Sequence, residues 1–400
     1  MARVLSLCCL LWMTLCPAKA ERRDGVVSDV ALAERLKGFA GEGFRVRETE
    51  HFVVCYDAAY ADLRALIGRI EGVYLVVERF IKFHGVLPPT EGSDKADAGG
   101  SKAGAGSSSD VGAGSPRKGP RLGILFFDKF ADFNRLATAW GVDAAGVAGF
   151  YDQQRNVSVF CNTRDHAKMQ AVTKRITQIE EELRKKRPDG KASSAGHRDA
   201  LTDELGSLRL QRDSIVHTFN QMVVQHETAH QILFNVGVHL RGADNPLWFV
   251  EGLACQFEVP QTDASGRLTR VNQLRLADFR QALGAAHGDQ SVSASALSDS
   301  KHAQRWLPIA ALICESEKWG PVNDRIAYRY SQGWGLVYFL AREQPERFGE
   351  YIKQLAARPV GIAMTVEQER TIFEKHFGPI TDDLERRWID FILALRVEPE

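Results

Sequence analysis

Two histidines stand four positions apart in the run Gln225-His-Glu-Thr-Ala-His-Gln231, with Glu227 directly after the first of them. On a helix, His226 and His230 leave the same face one turn apart. Two neutral imidazoles held that way bind one Zn2+, and a carboxylate between them is placed to act on a metal-bound water. A catalytic zinc keeps three protein ligands and one open position. Glu251, in Trp248-Phe-Val-Glu-Gly-Leu-Ala254, is the best candidate for the third ligand. With 11 His in 400 residues, a five-residue match of this kind arises by accident in roughly 2% of chains.

The elements that must carry these residues are legible around them. Ile215, Val216, Phe219, Met222 and Val223 recur at helical spacing, and the two histidines continue that stripe on its buried side. An uncompensated imidazole or carboxylate there is costly, whereas a ligand is compensated. Asn235 and Gly237 end the helix. A second helix opens with Asn245 as N-cap and Pro246 at its first position, burying Glu251 among apolar neighbours. The three-histidine arrangement is excluded: it needs glycine and histidine where Leu233 and Val236 stand. His239 falls beyond the helix end, as a loop histidine or a substrate-side group.

The His-Glu-Thr-Ala-His turns followed by a proline-led Trp-Phe-Val-Glu-Gly-Leu-Ala resemble the gluzincin metallopeptidases of the peptidase-MA-like superfamily. They are most similar to an uncharacterised family of secreted bacterial proteins within it. The resemblance covers most of the chain after its first twenty residues, outside a linker and a charged insert. Asn272-x-x-Arg275 and the element from Tyr330-Ser-Gln-Gly-Trp334 to Leu340 are also similar to that family, more weakly. It implies an α+β, two-lobed zincin-like fold with a mixed first lobe and a mostly helical second lobe. It also implies Zn2+ held by His226, His230 and Glu251, Glu227 as general base, and a peptide or protein substrate. Tyr330, which opens the later element, is the candidate oxyanion donor, with Tyr328 and His239 as alternatives. Glu258, seven residues after Glu251 on the same helical face, is a candidate to orient a ligand histidine. An edge strand of the first lobe commonly lies over the metal in such enzymes; Gly146–Tyr151 and Val157–Cys161 are both candidates. The competing class is an exported zinc-binding structural or interaction module without turnover. Glu227 speaks against it, while Cys255, one turn after Glu251, leaves a closed four-ligand site open.

Residues 1–20 read as a secretory signal: Arg3, an apolar run from Val4 to Leu15, and Ala18-Lys19-Ala20 before a cut. No later stretch is long and apolar enough to span a bilayer. The expectation is a secreted or periplasmic protein. Lys+Arg and Asp+Glu both number 51, so nothing points to nucleic acid or an anionic membrane surface. Beyond the signal remain Cys55, Cys161, Cys255 and Cys314; Cys55–Cys161 is the preferred disulfide, with buried free cysteines as the equal alternative.

Residues 21–258 form the expected first lobe with the metal helices, and 259–400 the helical second lobe. Within the first, the spacing predicts a strand at His51–Tyr56 and a helix at Ala61–Phe83. After a Gly/Ser-rich linker at 90–120 it predicts a strand at Leu122–Phe127, a helix at Lys129–Trp140, and strands at Gly146–Tyr151 and Val157–Cys161. Residues 165–212 are strongly charged and read as two solvated helices broken at Arg187-Pro188-Asp189-Gly190, leading into the metal helix. Helices are expected at Trp306–Cys314, Ser331–Arg342 and Ile380–Leu395. No phosphate loop or dinucleotide fingerprint is present.

Overall fold

The computed structural model describes residues 28–86, 120–143, 147–162, 167–184, 195–284, 305–314 and 326–396. The expected signal segment, most of the expected 90–120 linker and the expected break at Arg187–Gly190 lie outside the described residues, as do the side chains at 214–220. The fold is α+β, with one five-stranded sheet in the amino-terminal half and helices thereafter.

The chain begins with α1 (Asp29–Ala40), β1 (Arg45–Glu48), β2 (Phe52–Tyr56) and α2 (Tyr60–Phe83). It continues through β3 (Leu122–Phe127), α3 (Phe130–Ala139), β4 (Gly149–Asp152) and β5 (Val157–Cys161). The strand order is β1-β2-β3-β5-β4, with β2, β3 and β5 parallel and the two edges antiparallel. Runs such as Phe52-Val-Val-Cys-Tyr56 and Leu122-Gly-Ile-Leu-Phe-Phe127 are apolar throughout because both faces of a parallel sheet are covered. Alternate residues point to opposite faces. Val53, Cys55, Leu125, Phe127, Val157 and Val159 pack with Leu36 of α1 and Phe133 of α3. Phe52, Val54, Ile124 and Phe126 pack with Leu63, Leu66 and Ile70 of α2, and that core runs on without interruption into the later helices.

The charged segment differs from expectation in one respect. Helix α4 (Ala167–Arg184) is followed by α5, a single 41-residue helix from Ala195 to Asn235. The second charged helix and the metal helix are therefore one element, about 60 Å long at ~1.5 Å per residue. Near its start, α5 pairs with α4 around Ile176, Ile179, Leu201 and Leu205. Arg175–Glu204 and Arg209–Glu180 bridge across the surface of that pair.

The remaining helices are α6 (Leu247–Gln256), α7 (Gln273–Ala282), α8 (Ile309–Cys314), α9 (Ile326–Glu343), α10 (Pro345–Ala356), α11 (Val366–Phe377) and α12 (Asp382–Leu393). The expected helix at Trp306 begins only at Ile309, because Pro308 removes the turn before it. No helix among the described residues is long and apolar enough to cross a membrane.

The preferred disulfide is not formed: Cys55, Cys161, Cys255 and Cys314 are all free and buried. Cys55 lies on β2 and Cys161 on β5, with β3 between them. Two strand spacings of ~4.8 Å hold their Cα atoms well beyond the ~7 Å that a disulfide can bridge.

Candidate metal centre

Helix α5 buries Val223, Val224, Ala229, Ile232 and Leu233 around the motif, and this fixes which face the two histidines share. The helix closes through Gly237, whose φ of 81° belongs to the left-handed region. There the Val238 N–H returns to the Leu233 carbonyl at 3.0 Å, a Schellman closure with both side chains in the core. Helix α6 starts one position later than expected. Pro246 is its N-cap, and Asn245 instead braces the preceding loop, accepting from the Leu240 N–H at 3.0 Å and donating to the Leu240 carbonyl at 2.8 Å. Gly252 of α6 meets Gly333 of α9 so closely that a Cβ on Gly252 would lie 2.4 Å from the Gly333 carbonyl oxygen. That crossing brings Glu251 and Tyr330 to the same end of α5.

The three expected ligands converge. His226 Nε2 lies 3.0 Å from His230 Nε2 and 3.2 Å from Glu251 Oε2, and His230 Nε2 lies 3.5 Å from that same oxygen. All three residues are buried. A tetrahedral zinc with bonds of about 2.0–2.1 Å holds its ligand atoms about 3.3 Å apart, so this triangle matches one face of the coordination shell. Burial alone would raise the Glu251 carboxyl; the charges of His230 and His226 and their hydrogen bonds outweigh that and hold it down to about 2.

Behind His226 lies a second, fully buried layer. Its Nδ1 meets Glu258 Oε1 at 3.0 Å. Glu258 Oε2 accepts from Arg275 Nε at 2.9 Å and Asn272 Nδ2 at 2.8 Å, and Oε1 also accepts from Arg275 Nη2. Burial opposes ionisation of Glu258, but the Arg275 guanidinium and His226 outweigh it and hold it to about 2. Asn272 also N-caps α7 by accepting from the Arg275 N–H, so the Asn-x-x-Arg spacing places both side chains on one carboxylate. Asp278, one turn after Arg275, was not foreseen in the sequence; burial lifts its carboxyl to about 6 against the pull of Arg275.

His226, Cys255 and Glu258 form a second group with ligand spacing. Its chemistry does not suit a cation. Glu258 is already committed to Arg275, a positive charge stands against it, and burial pushes the Cys255 thiol up to about 11. Cys255 Sγ lies 4.0 Å from His226 Nδ1, the ring edge opposite the ligand nitrogen, so it does not close the first site.

Glu227 is buried, and its Oε2 accepts the Tyr151 N–H at 2.9 Å. Tyr151 belongs to β4, the edge strand, while β5 lies inside the sheet. Val157–Cys161 is thereby excluded as an edge over the site, and β4 takes that position. The Tyr151 amide is a site group that sequence reasoning missed; a backbone donor leaves no mark in residue type. Gln231 ties α5 to the sheet, donating to the Gly123 carbonyl at 2.9 Å and accepting from Ser158 Oγ at 3.0 Å.

Tyr330 is 2% exposed, its ring 5.8 Å from that of His226, with the Arg275 guanidinium 5.2 Å from the Tyr330 ring centroid. Tyr328 instead packs under Arg305. His239 is buried between the rings of Phe234 and Phe249.

Residues 220–360 match a family described as a protein of unknown function, DUF1570. The matched stretch contains every side chain of the centre from His226 to Tyr330, whereas Tyr151 lies before it. No curated protein and no solved structure matches the chain.

Proposed function

We propose that this chain is an exported, zinc-dependent peptidase-like hydrolase of the gluzincin type, with a two-lobed zincin-like arrangement. The observation that carries the reading is the triangle of His226 Nε2, His230 Nε2 and Glu251 Oε2, whose sides of 3.0, 3.2 and 3.5 Å fit a tetrahedral ion. When bound, zinc supplies a Lewis acid and a water acidic enough to lose its proton near neutral pH.

The chain's own groups supply the rest. Glu227, next to the first ligand, takes the proton, and the Tyr151 N–H on Oε2 holds the carboxylate in place. Tyr330, in edge-to-face contact with His226, is the candidate donor to a developing oxyanion. Glu258, held by Arg275 and Asn272, fixes the tautomer and tilt of His226. The second reading, a non-catalytic zinc-binding module, draws on the depth of the site, where the three ligands are only 1–6% exposed.

Glu227→Gln separates the two readings. It keeps the shape and removes the base, so zinc content should stay while cleavage of a broad peptide library falls by at least ~10²-fold. A parent protein that holds zinc yet cleaves nothing in the library favours the non-catalytic module. Full activity of Glu227→Gln refutes the role of the base.

A further inference from the structure

Four buried side chains close into a ring of contacts that begins and ends at His226. His226 Nδ1 meets Glu258 Oε1 at 3.0 Å. Glu258 accepts from Arg275 Nε at 2.9 Å on one oxygen and from Arg275 Nη2 on the other. The Arg275 guanidinium carbon stands over the Tyr330 ring, 5.2 Å from its centroid. The Tyr330 ring in turn meets that of His226 edge-to-face, with centroids 5.8 Å apart. Arg275 is the member that joins the support behind His226 to the candidate donor.

Little freedom is left to Arg275. Its backbone N–H is held by Asn272 Oδ1 at 3.2 Å in the first turn of α7, and its side chain grips both oxygens of Glu258. A guanidinium can hold a carboxylate with two N–H groups while its delocalised charge lies over an aromatic ring. A lysine ammonium is instead a point charge on a flexible stem. The 5.2 Å separation falls inside the ~6 Å reach of a cation acting on a ring, and burial makes that attraction stronger than at a wet surface. As the Tyr330 O–H donates to an oxyanion, negative charge grows on the phenol oxygen and its ring, and the pull of Arg275 grows with it. An interaction that strengthens on the way to the transition state raises kcat rather than lowering KM.

We propose that Arg275 is the positioning residue for Tyr330, holding the phenol beside His226 and strengthening it as a donor through the charge over its ring. The inference rests on the hydrolase reading above, in which Tyr330 donates to the oxyanion. One residue of α7 then serves both sides of the centre: it fixes His226 through Glu258 and the donor through its ring. An Arg275 that served Glu258 alone would act on the metal side and be indifferent to the Tyr330 hydroxyl.

The test is a double-mutant cycle on the full, zinc-loaded chain, with a peptide that the parent cleaves. Arg275→Lys keeps a positive charge for Glu258 and loses the hold on the ring; Tyr330→Phe keeps the ring and loses the hydroxyl. Arg275→Lys should lower kcat roughly 3- to 30-fold in the parent, with KM nearly unchanged, and should cost little further in the Tyr330→Phe background. Zinc affinity, read by competition with a chromophoric chelator, should respond to Arg275→Lys equally in both backgrounds, because that effect passes through Glu258. The paired change of Glu258→Gln with Arg275→Gln leaves no buried charge uncompensated and serves as the second probe, with the same dependence on the hydroxyl expected. A kcat loss of equal size in both backgrounds, or none in the parent, overturns this proposal alone. An inert Tyr330→Phe overturns it together with Tyr330 as donor and leaves the metal reading standing. A parent that holds zinc yet cleaves nothing overturns the hydrolase reading and this inference with it.

Discussion

Gly252→Ala tests whether the α6–α9 crossing holds the centre together. The added Cβ would lie 2.4 Å from the Gly333 carbonyl oxygen, 2.5 Å from its carbon and 3.0 Å from Val337 Cγ2. Cβ atoms essentially never approach heavy atoms within 3.0 Å, and two of these neighbours are backbone, so the helices must part by more than half an ångström. Overpacking of this kind costs about 1–3 kcal/mol, against which alanine recovers up to about 1 kcal/mol of helix propensity. In a chain of 400 residues, a net loss of about 1–2 kcal/mol lowers the thermal midpoint by roughly 1–3 °C. The local effect is sharper. Glu251 is the neighbour of Gly252, and metal sites tolerate ligand displacements of only about 0.2 Å, so zinc affinity should drop at least about tenfold. Gly68→Ala is the control: in α2 its Cβ meets nothing within 4 Å, and stability should hold or rise by up to ~1 kcal/mol. Calorimetry and chelator competition on both variants decide the matter. A Gly252→Ala protein with the parent's midpoint and zinc affinity would refute the close crossing.

Tyr330→Phe should lower kcat roughly 10²-fold while KM and zinc content stay near the parent's, since an oxyanion donor acts in the transition state; an unchanged kcat removes Tyr330 from the chemistry. Burial pushes the Glu369 carboxyl up to about 8 from an ordinary 4.5. Its contribution to stability is full below pH 4.5 and is lost as pH rises toward 8, so Glu369→Gln should gain on the parent in thermal midpoint between pH 5 and 8; a pH-independent gap contradicts this. The four cysteines beyond residue 20 should be inert to a thiol reagent in the native protein and give four thiols when it is unfolded without reductant, whereas a count of two would reveal a disulfide. The Ala18-Lys19-Ala20 pattern predicts cleavage after Ala20, and exported protein that still begins at Met1 would rule that out.

The parts of this protein legible in its sequence are those that local chemistry decides. The bounds of β3 follow from a run without a polar side chain and those of β5 from a short β-prone run, and the convergence of His226 with His230 follows from helical spacing alone. Glu251 needed one further step, a buried carboxylate on a neighbouring helix, and the structure brings it to the pair. Less was legible where long-range packing or the backbone decides. Helix α1, with only Leu32 and Leu36 buried, carries too weak a pattern to stand out before the sheet face it covers is known. The role of Glu258 depends on Asn272 and Arg275 arriving from α7, and the Tyr151 amide depends on β4 being an edge. The Cys55–Cys161 pairing failed because two strand-like runs need not be neighbours when a third lies between them.

The unbroken α5 behaves mechanically as a cantilever. At its inner end it is clamped at several points: Gln231 to Gly123 and Ser158, Asn235 to the Asn156 side chain at 2.7 Å, and Glu227 to Tyr151. Its outer end is fastened to α4 by a small apolar cluster and exposed ion pairs, which are worth little each. In a beam held this way, deflection and slope vanish at the clamp and grow toward the free end. The candidate metal ligands sit at the clamp. Collisions and thermal bending of the charged arm are absorbed along several helical turns before they reach His226, and the arm is free to vary in length and charge without disturbing the triangle of ligand atoms.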